Sequence, residues 1–510
     1  MIQLSRCCLH HLSLRLPMAA WLLAATMLAT AAEPPAAGNQ AALAARIDAL
    51  IDQPRFSGAS WGIAVVSLDS GHTLFAHRAD QLLQPASTAK LFTAALSLST
   101  LGPEYRMPTR LLASGRIAHG RLHGDLVLYG TGDPTLGTAG SADWADQLAS
   151  QMAARNVTLV RGDLIADDSY FAGPAYGSGW EADDLQSSFA VPASALSVQE
   201  NIVQVTVSPG AAAGRPARLQ FEPSDARPDV AGELLTAAPG TPDDINLYRA
   251  PGQDTVHAFG DIAADGPAQH FKLAVPDPAQ LAGLQLREAL KRHGIRVTGK
   301  LRVLHWPQDD RALLAQAGLL GEVLSPPLQE ILQRGLKRSQ NLYLQNLLLN
   351  VGAHVQDPVD TGFSSTESRG IAVLGQLLGE IGIPPSASLL GEGTGLSRRD
   401  LVTPQALVRI LVYLAAQPYA AMVREALPIA GVDGTLIGRM RRTAAENNVH
   451  AKTGSMSYVS CLAGYVTSAS GEHLAFAIML NNYDRPADAP DASTDVDAIA
   501  VLLANYRGRD

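Results

Sequence analysis

The stretch Ser87-Thr88-Ala89-Lys90 carries the pattern that decides the fold of this chain. An apolar pattern follows it through Leu101 and stops at Gly102, which predicts a buried helix ended by a glycine. Ser87 therefore stands at the start of a predicted helix, and Lys90 lies on the same face about one turn later. The free backbone N–H groups at a helix start favour negative charge there.

Lysine is scarce in the rest of the sequence. Only six of the 39 basic residues are lysines, and three of the six lie in short polar motifs. Besides Lys90, Lys337 stands two residues before Ser339-Gln340-Asn341, and Lys452 opens Lys452-Thr453-Gly454. Arginine does not lose its proton in proteins, whereas a buried lysine shifts its pKa readily. The pattern indicates sites that need a deprotonable or compact cation.

The order Ser-x-x-Lys, Ser-x-Asn, Lys-Thr-Gly resembles that of the penicillin-interacting serine acyl-transferases. A serine hydroxyl is a poor nucleophile until a neighbouring base takes its proton, so Ser87 needs Lys90. Lys90 can be that base if desolvation and nearby like charge lower its pKa, and we expect Lys337 and Lys452 to supply the charge. Ser339 would then relay a proton toward the leaving amine.

The other motif residues are predicted to bind the substrate. We expect Asn341 to hold the substrate amide, and Lys452 with Thr453 to bind a terminal carboxylate. Gly454 would permit close approach of a substrate to its strand. The N–H groups of Ser87 and Ser455 would form the oxyanion hole.

Six further stretches carry a closer resemblance. They are GDLVL at 124–128, GDPTL at 132–136, SALS at 194–197, SPPL at 325–328, GTGLSR at 393–398 and LPIAGVDGTL at 427–436. From about residue 45 onward, the chain resembles the penicillin-binding protein 4 type of D-alanyl-D-alanine carboxypeptidase/endopeptidase. Two positions depart from the pattern: Gln340 replaces the more usual Asp or Asn, and Glu392 replaces the usual Asp.

The resemblance implies a periplasmic enzyme that trims the terminal D-alanine from peptidoglycan stem peptides and cleaves D-alanyl cross-links. It also implies acylation by β-lactams. The balance of carboxypeptidase against endopeptidase activity stays open. Two alternatives remain at this point: a serine β-lactamase, which shares the motifs and fold, and a non-catalytic penicilloyl-binding sensor or scaffold for other wall enzymes.

The fold follows from strand-like runs at both ends of the chain. Residues 61–68 and 72–77 flank the turn Asp69-Ser70-Gly71 and predict a hairpin, while 449–453, 458–467 and 473–481 predict three further strands. A sheet built from both ends, with helices packed on it, predicts an α/β (α+β) sandwich of the transpeptidase/β-lactamase-like type.

The first two motifs are far apart, because 252 residues separate Ser87 from Ser339. The sequence between them is poor in helical periodicity and rich in Gly, Pro and Asp. We predict a mostly β insertion over residues 106–317. Other cell-wall enzymes are the partners that we expect it to bind. The D,D-peptidase domain would comprise residues 32–105 and 318–510.

Residues 1–31 predict a signal peptide rather than part of the fold. Arg6 and Arg15 form a basic leader, residues 18–30 are apolar, and Ala29-Thr30-Ala31 offers a cleavage site, although an uncleaved anchor stays open. Cleavage would remove two positive charges and change the formal charge from −9 to −9 − 2 = −11. This acidity argues against nucleic acid as a binding partner and predicts at most peripheral association with a membrane.

Other classes of site find little support in the sequence. No His/Cys cluster with metal-ligand spacing and no phosphate-binding glycine loop is present, so we predict neither metal nor cofactor. After cleavage Cys461 would be the single cysteine, which excludes an intramolecular disulfide.

Overall fold

A computed structural model describes residues 40–308, 310–355 and 362–508. The predicted signal peptide, residues 1–31, lies outside the described residues. The two ends of the described chain meet in one five-stranded antiparallel sheet, which we call the central sheet. In spatial order, its strands are His450–Met456, Val459–Thr467, His473–Asn481, Ser60–Ser67 and Thr73–His77.

Helices cover both faces of the central sheet. Strand Ser60–Ser67 is buried at all positions but the first, so its alternating side chains are covered on both sides. Helices Gln40–Ile51 and Ala492–Ala504 pack on one face, and Pro404–Ala415 with Lys90–Thr100 on the other. The predicted α/β sandwich is confirmed.

Helix Lys90–Thr100 lies at the centre of the thicker helical layer and is buried through Leu98. It starts later than predicted, because Ala86–Ala89 forms a 3₁₀ turn that carries Ser87. Gly102 ends it with a φ of 82°, as the predicted glycine stop requires. The other helices of this layer are Leu328–Lys337, Asn341–His354, Thr366–Glu380 and Ala420–Ala426.

The insertion enters and leaves through two paired strands. Pro108–Ala118 begins it, and Gly318–Leu324 runs antiparallel alongside and returns the chain. At its base Ser325 Oγ accepts a hydrogen bond of 2.9 Å from the Met107 N–H. The predicted end at residue 317 is wrong by one strand, because Gly318–Leu324 pairs with the insertion and not with the central sheet.

The described residues of the insertion form sheets of seven, four and three strands around a separate apolar core. Its helices are Trp144–Ala154, Pro278–Arg292 and the short Arg311–Leu314. Besides the entry and exit strands, its strands are Arg121–Tyr129, Leu159–Val160, Leu164–Asp167, Ile202–Ser208, Arg218–Glu222, Val230–Ala231, Leu234–Ala237, Asp244–Tyr248, Val256–Ala263, Gln269–Ala274, Arg296–Val297 and Leu301–Leu304. Within the described ranges, no helix of the chain has the length and apolarity to cross a bilayer.

Candidate active site

Ser87 lies on a tight turn that two glycines hold from opposite sides. Ala86, just before it, adopts a left-handed conformation with a φ of 46°, which costs a residue with a side chain about 1–2 kcal/mol. A Cβ on Gly454 would lie 2.5 Å from the Pro85 carbonyl oxygen. A Cβ on Gly395 would overlap the Ala86 carbonyl oxygen. We expected Gly454 to admit a substrate; in the structure, the turn that carries Ser87 makes this close approach.

The Lys90 ammonium lies within hydrogen-bond distance of three oxygens. Its Nζ is 2.7 Å from Ser87 Oγ, 2.5 Å from Asn341 Oδ1 and 2.8 Å from the Thr394 carbonyl oxygen. The side chain is fully buried. Loss of water disfavours the charged form and lowers the pKa of Lys90 to about 7, although the Glu392 carboxylate opposes the shift.

The second motif occupies the break between two helices. Leu328–Lys337 ends before Ser339, whose φ of 57° reverses the chain before Asn341–His354 begins. Ser339 Oγ accepts a hydrogen bond of 2.8 Å from Lys452 Nζ. Asn341 bridges Lys90 to the insertion, because its Nδ2 donates to the Phe189 carbonyl at 2.7 Å.

The third motif lies on the edge strand His450–Met456 of the central sheet. Lys452 is fully buried, and burial, followed by the like charges of Lys90 and Arg439, lowers its pKa. Thr453 Oγ1 lies 2.8 Å from Thr435 Oγ1. Ser455 is exposed at the mouth of the site.

Lys337 does not join this group. Its Nζ donates to Asp433 Oδ2 at 2.6 Å and to the Leu427 carbonyl at 2.7 Å. The expectation that Lys337 lowers the pKa of Lys90 is therefore wrong, because its charge is neutralised by a carboxylate. Lys452 does not supply the expected like charge either: burial alone lowers the pKa of Lys90, whereas the Lys90 charge contributes to lowering the pKa of Lys452.

Comparison with known proteins places this arrangement in a family. The D-Ala-D-Ala carboxypeptidase 3 (S13) family matches the chain over residues 43–506. The chain belongs to this family. The S13 peptidase is 35% identical over 473 residues to a D-alanyl-D-alanine carboxypeptidase of Actinomadura sp. (strain R39), covering 91% of this chain and 84% of the relative.

Two further comparisons agree with this assignment. D-alanyl-D-alanine carboxypeptidase DacB of Haemophilus influenzae is 28% identical over 432 residues, covering 84% of this chain and 86% of the relative. The crystal structure of penicillin binding protein 4 (dacB) from the same organism matches with a TM-score of 0.78 at 26% identity, over 90% of this chain and 99% of that chain. The S13 peptidase is a serine-type D-Ala-D-Ala carboxypeptidase, and the predicted family resemblance is confirmed.

Sequence reasoning missed Glu200, which the insertion of the S13 peptidase contributes to the second motif. Its carboxylate accepts hydrogen bonds from Arg338 Nη1 at 2.8 Å, Tyr343 Oη at 2.9 Å and Gln340 Nε2 at 3.1 Å. Gln199, Glu200 and Asn201 all have a positive φ, between 52° and 58°. The unusual Gln340 therefore has a partner, and a strained turn of the insertion holds the loop that carries Ser339.

Glu200→Gln should loosen the second-motif loop. A single amide oxygen replaces two carboxylate oxygens that accept from three side chains, and a hydrogen bond to a charged group contributes about 1.5–3 kcal/mol. We expect kcat/KM for a D-Ala-D-Ala peptide to fall by roughly tenfold or more, since 1.4 kcal/mol is a factor of ten. Glu222→Gln is the matched control. This exposed glutamate lines a surface groove together with Glu200, but it makes no contact with the second motif. Equal activity of the two variants would contradict the role of Glu200.

No metal site accompanies these residues: among the side chains that the structure describes, no three His, Cys, Asp or Glu are grouped to hold an ion.

Proposed function

We propose that this S13 peptidase cleaves the terminal D-Ala-D-Ala bond of peptidoglycan stem peptides through an acyl-enzyme on Ser87. The observation that carries the proposal is the 2.7 Å contact between Lys90 Nζ and Ser87 Oγ. Because burial lowers the pKa of Lys90 to about 7, much of this lysine is an unprotonated amine at neutral pH. A general base whose pKa lies near the working pH is the most effective one.

In the acylation step, Ser87 Oγ attacks the carbonyl carbon of the penultimate D-alanine while its proton passes to Lys90. The backbone N–H groups of Ser87 and Ser455 stabilise the oxyanion. When the C–N bond breaks, the proton that Lys90 took from Ser87 passes through the Ser339 hydroxyl to the leaving amine. Lys452 keeps its charge and positions that hydroxyl by donating a hydrogen bond of 2.8 Å to Ser339 Oγ. Water then attacks the ester carbonyl while its proton passes to Lys90 and on to the departing Ser87 oxygen, which regenerates the serine and releases the shortened peptide.

The terminal carboxylate of the substrate is recognised at the third motif. Burial lowers the pKa of Lys452, and an arriving carboxylate favours the charged form again. Thr453 and Ser455 provide hydroxyl donors on the same strand. A β-lactam carries a carboxylate at the corresponding position and acylates Ser87 by the same route. The complex of Haemophilus influenzae penicillin binding protein 4 with a β-lactam supports this extension.

We also propose that the mature protein acts in the periplasm after loss of residues 1–31. Its acidic charge supports at most peripheral association with a membrane. The insertion, residues 108–324, is the part available to bind other cell-wall enzymes, since the active site is built on the other domain.

Persistence of the penicilloyl ester separates the peptidase from the β-lactamase and the sensor. A D-alanyl ester leaves space for water, whereas a penicilloyl group brings a bulky ring that blocks its approach. We expect intact-mass spectrometry to show a stable one-to-one penicillin adduct, while cross-linked and linear muropeptides lose D-alanine or are cut at the cross-link. Rapid return of free enzyme with excess hydrolysed drug would identify a β-lactamase. A stable adduct without peptide turnover would identify a sensor.

A further inference from the structure

A buried loop contacts both Lys90 and the turn that carries Ser87. We call residues 390–400 the support loop; it joins strand Ser388–Leu389 to its antiparallel partner Leu401–Val402. The Thr394 carbonyl of this loop lies 2.8 Å from Lys90 Nζ, and Gly395 packs against the Ala86 backbone. Any shift of the support loop therefore moves the base and the nucleophile turn together.

One carboxylate holds the support loop in shape. Glu392 is 1% exposed and accepts hydrogen bonds from the Thr394 N–H at 2.9 Å, the Thr394 hydroxyl at 2.7 Å and the Gly395 N–H at 2.5 Å. Trp180 Nε1 of the insertion donates a fourth bond at 3.2 Å. Glu392 thus fixes the direction of the carbonyl that faces Lys90.

A second acid, Asp400, lies against Glu392 with no exposed surface. Its Oδ1 accepts a hydrogen bond of 2.8 Å from the Gly391 N–H. Its Oδ2 is buried without a donor, and the Asp400 carboxyl group lies within hydrogen-bond reach of the Glu392 carboxyl group. Two neighbouring carboxylates that are both buried repel each other, and Asp400 Oδ2 has no donor to stabilise a charge, so one of the two groups carries a proton.

The charged groups around this pair favour Asp400 as the proton's site. Glu392 accepts four hydrogen bonds and lies nearer the Lys90 ammonium, so its charge is the better compensated. Burial and the negative charges of Glu392 and Glu367 raise the pKa of Asp400 to about 9.

We propose that Asp400 is a positioning residue whose protonated carboxyl donates to Glu392, so that the shared proton keeps the Thr394 carbonyl directed at Lys90. The pair then carries one negative charge instead of two beneath the base. This role rests on the proposed function of Lys90. Asp400 would act through Glu392 and the Thr394 carbonyl, without touching the substrate.

The test compares two replacements of Asp400 by the rate of penicillin acylation. Asp400→Asn retains a donor toward Glu392 and an acceptor for Gly391, so its rate at pH 7.5 should stay near that of the wild type. Asp400→Leu removes both bonds, and its rate should fall on the order of 10²-fold, the cost of misplacing a catalytic group by about 1 Å. The proposal would be overturned if Asp400→Asn were acylated as slowly as Asp400→Leu, or if Asp400→Leu were acylated as fast as the wild type.

The pH profile gives a readout that a merely structural role would not move. Wild-type acylation should fall above about pH 9, where Asp400 loses its proton and two carboxylates repel each other. Asp400→Asn has no such proton and should keep its rate there. Asp167→Asn, which removes another fully buried acid from the insertion, is the control and should retain the wild-type alkaline fall. An alkaline fall that persists in Asp400→Asn would contradict the shared proton.

Thermal unfolding tests the proton independently of Lys90. Because the pKa of Asp400 is raised by folding, the folded state holds a proton that the unfolded state has lost between the ordinary pKa of 3.8 and about 9. Stability conferred by this proton falls as the pH rises through that window. Asp400→Asn should lose less stability than the wild type between pH 5 and pH 8. An identical loss in both would refute the protonated carboxyl, whatever the role of Lys90.

Discussion

Ser87→Ala should leave this peptidase unable to form a covalent adduct with a fluorescent penicillin. Lys90 Nζ touches only one hydroxyl in the described structure, that of Ser87, because its other partners are the Asn341 amide and the Thr394 carbonyl. Neither of these groups can replace the lost nucleophile. Gel fluorescence and intact-mass spectrometry should both show no labelling in a protein whose circular dichroism is unchanged.

The control for this experiment is Ser339→Ala. It removes a hydroxyl from the same cleft but leaves the contact between Ser87 and Lys90 in place. This variant should still be labelled, though more slowly. Covalent labelling of the folded Ser87→Ala variant would mean that another residue is the nucleophile.

Lys90→Arg should lower the acylation rate by about 10²–10⁴-fold, the usual contribution of a general base. The substitution keeps the positive charge but cannot release a proton. In the wild type, the rate should rise with pH through about 7, because only the deprotonated form of Lys90 accepts the serine proton. Stopped-flow or gel-based acylation kinetics between pH 5 and 8.5 would measure both effects.

Lys452→Arg is the matched control, because Lys452 is equally buried and the larger guanidinium causes a similar packing penalty there. Its proposed role needs a cation near the substrate carboxylate, so its loss of rate should be the smaller one. If both variants lose the same activity, the defect of Lys90→Arg comes from packing and Lys90 is not the base.

The features of the fold that the sequence predicted are local in the chain. Two strand-like runs and the turn at Asp69-Ser70-Gly71 were enough to predict the hairpin of Ser60–Ser67 and Thr73–His77. Likewise, the spacing of Ser87 and Lys90 needs only one helical turn to bring them together. Strand-like runs at both ends of the chain also predicted the shared sheet, which the structure places at the centre of the domain.

The features that were missed depend on contacts between distant segments or on a single backbone angle. Lys337 stands two residues from Ser339, but the left-handed φ at Ser339 reverses the chain and leaves Lys337 facing Asp433. Glu200 reaches Arg338 across 138 residues. The pairing of Asp400 with Glu392 depends on the path of one loop. No periodic pattern in the sequence predicts these contacts.

The seam between the insertion and the second motif suggests a way to inhibit the enzyme without competing for its serine. Glu200 holds the Ser339 loop from across this seam, and together with Arg338 it lines a groove of about 300 Å³. A compound bound in this groove would compete with Glu200 for Arg338 and loosen the loop that carries Ser339. Because no residue that lines this groove belongs to the three motifs, substitutions of the motif residues would leave its lining unchanged.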